Sequence, residues 1–258
     1  NNAVMNLVME DSYLEDGTRK SSNNLSRIFR IESSDEVNEI SPKEIFNIDH
    51  VNVSKMTFRL ISRSKDKVAY YGGINWNDLE VNDIELTAHG LRFKDGIMYG
   101  TAESLSFKER TGFNCHFMSG DTRVGRGKTI VENLIIQDDF SDLTLPLYMM
   151  SYTGTKDFND FISKIKLDAE IYPSVLDFRT LTFFAPQLEG NNLKATISGT
   201  MSGYVNNFDV KDINITSHAG GFSTTLNGKM KGIPEVYDMW IDCRLSNLKF
   251  PPGGLGRF

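Results

Sequence analysis

The run Thr122-Arg123-Val124-Gly125-Arg126-Gly127-Lys128-Thr129 ends in Gly-Lys-Thr, the close of a loop that cradles phosphate on backbone N–H groups. That loop needs a glycine where this chain has Thr122, and a helix after the Lys-Thr, where residues 128–136 carry a strand pattern. Nucleotide binding is therefore not expected. The four histidines, His50, His89, His116 and His218, are dispersed. Cys115 and His116 are adjacent, which on a strand sends them to opposite faces and spoils a shared metal site. Asp138-Asp139 belongs to a turn and reads as solvated loop, not an acid/base couple. No nucleophile motif stands beside any of these. The residues thus predict no catalytic group, no metal and no cofactor, and a protein that is not an enzyme.

Charge and composition narrow the partners. Among 258 residues, 28 Lys and Arg face 34 Asp and Glu, a net charge of −6, with the cations scattered. Nothing supplies the basic stripe that nucleic acid requires. No apolar run approaches the ~18 residues of a membrane span, and the N-terminus lacks a charged segment followed by an apolar core. Cys115 and Cys243 are too few for a disulfide framework; buried free thiols are the expectation and a single bridge the alternative. The opening Asn1-Asn2-Ala3 and the tail at 251–258 read as cuts in a longer chain.

With no chemistry to position, the informative elements are strands. Over residues 193–205, Leu193, Ala195, Ile197, Met201 and Val205 share one parity and polar residues the other, so one face of the strand is dry. Gly199 and Gly203 also fall on the apolar parity. Leu226-x-Gly228-x-Met230-x-Gly232 repeats Ile197-x-Gly199-x-Met201-x-Gly203 at an offset of 29, and each copy is followed by a second apolar run. The repeat is a pair of strands. Glycine inside a strand marks a bulge, a bend or a close approach. Matched glycines would let the sheet fold inward with its apolar side concave, or simply bend the strands of an ordinary sandwich; an acyl chain and a plain core fit the pattern equally.

The rest of the chain is read the same way. Residues 1–45 hold either two edge strands, around Val4–Met9 and Ile28–Ile31, or a mobile polar insertion. From Ile48 a strand runs to Leu60 with a phase change at Ser54-Lys55, answered by Val68–Tyr71 and closed by Gly72-Gly73. Residues 76–118 form an antiparallel meander with a bulge between Val81 and Ile84 and turns at Asp95-Gly96 and 109–112. Residues 119–128 read as a glycine-rich loop, then come strands at 128–136 and 143–149, with Pro146 expected at a sheet edge. Two short helices are expected near 157–164, capped by Asp157, and 174–185, opened by Ser174 and stopped by Pro186, with a strand at 165–171 between them. Their aromatic residues would be lids over an apolar opening or simply core. Residues 46–250 thus read as one strand-built segment, and the fold class is all-β, mainly antiparallel, with two short helices, its sheet either curved into a trough or packed as a sandwich.

The order of several motifs adds a resemblance. Gly73 to Leu79, then Leu105 to Phe113, then Asp157-Phe158 to Ile165, then Phe183-Phe184-Ala185-Pro186, and last the tandem Gly-x-Met-x-Gly strands together resemble the TamB (translocation and assembly module) family over about residues 70–250. The family is related to AsmA-like, bridge-type lipid transfer proteins, and the resemblance implies that residues 46–250 form one curved, repeat-built sheet, an apolar-lined trough of the β-taco type. The resemblance implies a periplasmic segment of a Gram-negative envelope protein, held to the inner membrane by an N-terminal helix outside this sequence. It implies phospholipid as the cargo, an Omp85-type outer-membrane partner engaged through a region outside this sequence, and no catalytic residues. On this reading Leu193, Ala195, Ile197, Met201, Ile213, Ile215, Leu226 and Met230 line a groove for acyl chains, and Gly199, Gly203, Gly228 and Gly232 allow its curvature. The main rival is a scaffold that assembles outer-membrane proteins by offering them an unpaired sheet edge. A carbohydrate-binding sandwich would need exposed aromatics on the polar parity, which Trp76, Tyr204, Tyr237 and Trp240 leave open.

Overall fold

A strand with one apolar face must lay that face against a second layer or curl around it. In the computed structural model, which describes residues 3–13, 15–17, 19–23, 44–63, 72–190, 193–219, 221–233 and 239–250, the chain takes the second course. It forms one open, curved sheet of thirteen strands with two short helical segments. The strands are β1 Val4–Tyr13, β2 Arg19–Asn23, β3 Glu44–Ser62, β4 Asp78–Lys94, β5 Ile97–Glu109, β6 Asn114–Gly125, β7 Lys128–Asp138, β8 Asp142–Ser151, β9 Lys166–Asp177, β10 Lys194–Tyr204, β11 Asn207–Ser217, β12 Ser223–Lys231 and β13 Trp240–Lys249. From β3 to β13 each strand pairs antiparallel with the next, one long meander. β1 breaks the rule by lying parallel to β3, and β2 pairs outside it. Among the described residues the sheet therefore ends at β2 and at β13.

Curvature comes from a recurring tetrapeptide. Val53-Ser54-Lys55-Met56, Val81-Asn82-Asp83-Ile84, Val131-Glu132-Asn133-Leu134, Val210-Lys211-Asp212-Ile213 and Leu245-Ser246-Asn247-Leu248 all read apolar, polar, Lys/Asp/Asn, apolar. In each the third residue is left-handed, with φ of 53°, 53°, 55°, 51° and 54° in that order. The ladder slips at these points, one extra residue on the bulged strand. The slip restores the next apolar side chain to the same face, and short Asp and Asn tolerate the backbone it needs. The phase changes expected at 54–55 and 81–84 are two of these bulges. Gly199, with φ 135°, adds no residue to β10; it stands where β10 faces the Asp212 bulge of β11 and the extra residue of β9 at 172–173.

Several expectations are corrected. Residues 119–125 are not a loop but part of β6; the turn is only Arg126-Gly127, whose φ values of 51° and 73° give the tight hairpin that β6 and β7 need. Pro146 is not at an edge, since β8 lies between β7 and β9. It is tolerated because the β8–β9 ladder is interrupted between Asp142↔Val175 and Leu147↔Glu170, a gap that also holds Pro173. Ser174 does not open a helix. Its buried hydroxyl patches that gap, accepting from the Thr144 N–H at 2.8 Å and donating to the Tyr172 carbonyl at 2.7 Å. The second helical segment starts four residues later, at Phe178–Thr182, with Asp177 as its cap, and ends in a 3-10 turn at Pro186–Leu188. In the first, a 3-10 turn at Thr155–Asp160 leads into Phe161–Lys164, and Asp157 sits inside the turn, its carboxylate reaching back to the Thr153 N–H at 2.6 Å. The strands expected at 28–31 and 68–71, and the tail at 251–258, lie outside the described residues.

Candidate functional site

Directly paired residues in an antiparallel ladder share a face, so the register shows which side chains make continuous rows. One row crosses eleven strands: Ile241, Met230, Phe208, Gly203, Leu167, Met150, Thr129, Val124, Met98, Phe93 and Phe46, from β13 to β3. Only Gly203 and Thr129 interrupt its apolar side chains. At about 4.8 Å per strand the row extends about 48 Å along the sheet. Beside it on the same face runs Cys243, Gly228, Val210, Met201, Ala169, Tyr148 and Val131. Burial pushes the Tyr148 phenol above its ordinary range, as a largely apolar surrounding should.

Over β10 to β12 the covering element among the described residues is the short helix Phe161–Lys164, which touches β10 and whose Ile162 carbonyl accepts from the Asn206 N–H at 3.3 Å; the apolar side chains of these strands are mostly half-buried. On β13, at the sheet's end, residues of the same rows are more open: Ile241 is 47% and Leu245 51% exposed. The difference follows if the rows shield one another across a concave surface. A second contact gives the same answer. In a flat sheet β4 and β9 would stand about 24 Å apart, at about 4.8 Å per strand. The stretch from Asp177 to Phe183 is mostly helical and covers about 9 Å at about 1.5 Å per residue. Even so, the Ile74 N–H before β4 donates to the Phe183 carbonyl at 2.8 Å. With the turn from Ile74 to Asp78 bridging the rest, this contact draws β4 and β9 together, in keeping with the curved sheet.

That contact also shows where the trough is occupied by the chain itself. Phe183 packs in a cluster with Ile74, Phe113, Cys115, Phe107, Met118 and Ile136, over one end of β4 to β7. Phe113 meets Phe183 and Phe184 edge-on at 5.6 and 5.5 Å. Gly73 is required here, with φ 68° and the Phe183 carbonyl oxygen where a Cβ would stand. A polar network anchors the covering segment: Asp177 accepts from the Arg179 N–H and guanidinium, Ser141 Oγ accepts from the Asp177 N–H at 2.9 Å, and Thr180 Oγ1 donates to Asp138 at 2.9 Å. The Arg179 side chain holds the Asp177 carboxyl below the usual carboxylate range. Of the two aromatic segments, this one is a lid over part of the trough.

Seven of the eight expected residues, all but Leu193, sit in the ladders on the apolar face. Ile197 pairs with Ile215, Ile213 with Leu226 and Phe208 with Met230, while Met201 stands opposite Val210 and Ala169. Ala195 is buried, and Leu193 precedes β10, its carbonyl accepting from the Phe178 N–H at 2.9 Å. Phe208 and Val210 were not anticipated, although they alternate with Ile213 and Ile215 once the slip at Asp212 is counted. The glycines differ in role. Gly199 and Gly203 have φ of 135° and 137° and lie against the β11 backbone. Gly228 is a close approach to Cys243 without unusual φ. Gly232 lies past the end of β12 and does not bend it; its N–H donates to the Asn206 carbonyl at 3.0 Å.

The polar face offers no comparable site. Two shallow dents of about 360 and 400 Å³ over β3 to β6 share Glu85, Ser106 and His116. His116 is paired with Asp139, His89 with Glu103, and His218 Nε2 with the Thr196 hydroxyl at 2.8 Å. Among the described residues no three His, Cys, Asp or Glu converge as metal ligands, and no helix is long and apolar enough to cross a membrane. Both cysteines are free. Trp76 precedes β4, at the other strand end from Tyr204 and Trp240, which are exposed and share the polar-face row Tyr204, Asn207, Lys231 and Trp240; Tyr237 lies outside the described residues. No family model, curated protein or solved structure matches the chain.

Proposed function

We propose that the concave face holds extended acyl chains of phospholipid and carries out no reaction on them. The observation that supports this is the apolar row from Phe46 to Ile241, interrupted only by Thr129 and Gly203, on one face of an open, curved sheet. Such a surface favours a chain by about 25 cal/mol per Å² buried while offering few polar groups to fix its position, so the chain can slide. Half-buried Met150, Met201 and Met230 suit it, since methionine adapts to irregular apolar surfaces. The motif order that resembles the TamB family points the same way and extends the reading to lipid passing through the periplasm between inner and outer membranes in support of outer-membrane biogenesis. Native mass spectrometry of the purified chain, with extraction and lipid analysis, tests it. Phospholipid adducts that survive gentle ionisation and exchange with added lipid are expected. A chain that stays bare even after incubation with phospholipid vesicles overturns the reading. The rival, a scaffold that pairs client strands, draws on the open edge of β13 and predicts capture of extended peptides by a lipid-free trough.

A further inference from the structure

The edge strand β13 carries a pattern that the trough does not explain. Its regular stretch runs from Trp240 to the bulge at Asn247, and the midpoint of residues 240–246 is Cys243. Read outward from that midpoint, the stretch is complementary to its own reverse. An antiparallel twofold pairing centred on Cys243 sets Ile241 against Leu245 and Asp242 against Arg244, each twice, and Cys243 against itself. Side chains directly opposite share a face with Cβ atoms about 4.5 to 5.5 Å apart. The apolar pair therefore continues the trough rows, and the ion pair stands on the polar face. Asp242 already faces Lys229 of β12, so signs alternate across the junction: Lys229, Asp242, then Arg244 of the second copy. The groups involved are open to a partner: Ile241 is 47% and Leu245 51% exposed, and Asp242 and Arg244 are exposed as well.

We propose that β13 pairs edge to edge with β13 of a second copy, antiparallel and centred on Cys243, so that two copies share one continuous sheet and one continuous apolar face. The occupant is a second copy of this chain because the complementarity is reciprocal about a single residue; a foreign strand would not need it. The pairing does not depend on what the trough holds.

Sedimentation of the chain at about 100 µM, where even a micromolar Kd populates a dimer, should give twice the 29.1 kDa chain mass. Asp242→Arg sets arginine against arginine and should weaken association about tenfold or more, while the double exchange D242R/R244D restores it. Because the double variant keeps the disruptive change, its recovery separates lost pairing from lost folding. Register is read by oxidation with diamide, which takes two electrons and two protons from two thiols. Wild type should cross-link through Cys243, since Cys115 is 1% exposed. In a Cys243→Ser background, I241C with L245C should cross-link and I241C alone should not. A wild-type monomer at that concentration overturns the proposal, as does a D242R variant that dimerises normally, a double exchange that folds but stays monomeric, or cross-linking of I241C alone. Capture of an added peptide by a chain that never self-associates overturns it too.

Discussion

Met201→Asp is the sharpest probe of the trough. Met201 is half-buried on the apolar face between Val210 of β11 and Ala169 of β9, with Gly199 and Gly203 two residues away on either side. An acyl chain following that row would bury about four methylenes against it, worth about 3 kcal/mol at about 0.8 kcal/mol each. A carboxylate there must keep its water, so the chain loses that contact or strips the charge at greater cost. Affinity should fall on the order of a hundredfold, since about 1.4 kcal/mol is a factor of ten. In the empty trough the same carboxylate stays hydrated, and folding stability should drop by only about 1 kcal/mol. Titration of a fluorescent phospholipid, alongside circular dichroism and thermal melting, separates the two effects. Thr200→Asp puts the same charge on the opposite face of the same strand and should bind as wild type does. Wild-type affinity in Met201→Asp, or an equal loss in Thr200→Asp, would refute the argument that this face contacts lipid.

Gly203→Ala should destabilise by about 2 to 4 kcal/mol in denaturant melts, because it forces φ 137° on a residue with a side chain and drives a Cβ to within 2.7 Å of the Phe208 Cα. Gly190→Ala, at φ 89° but with open space around it, should lose only about 1 kcal/mol. The folded Asp177 carboxyl titrates below its unfolded value because Arg179 bonds to it, so its stabilisation is complete above pH ~4 and is lost as pH falls through the folded value. Melting temperatures followed from pH 7 down to about pH 2.5 should therefore fall more steeply for wild type than for Asp177→Asn below pH ~4. Burial pushes the Cys115 thiol up to about 11, whereas Cys243 is only partly covered. Ellman's reagent at pH 8 should titrate one thiol in the folded chain and a second only after denaturation; two equally fast thiols would contradict the packing around Cys115.

How much of this was legible in the amino-acid order follows from the range of each signal. Alternation is a property of one strand, so the dry parity of β10 and β12, the meander of β4 to β6 and the common face of Ala195, Ile197, Met201, Ile213, Ile215, Leu226 and Met230 could be read directly. So could the slips at Lys55 and Asp83, because a bulge adds one residue to a period of two. The bulges at Asn133, Asp212 and Asn247 carry the same tetrapeptide, but a lone slip in alternation resembles the end of a strand, and within one stretch only glycine announces a bend. Pro146 and Ser174 were misplaced because a local rule, proline at edges and serine before helices, yields where two strands leave their ladder open and a hydroxyl can fill it.

Tertiary structure decided what lies side by side. That β1 runs parallel to β3, that Phe183 reaches Ile74 across the curl, and that the Met230 row continues to Phe46 all depend on register between strands. Register is set by many pairings acting together, each worth a fraction of a kcal/mol to about 1 kcal/mol, and no single stretch of sequence contains them. The individual faces are local consequences of side-chain order. The trough exists only once every strand has its neighbour.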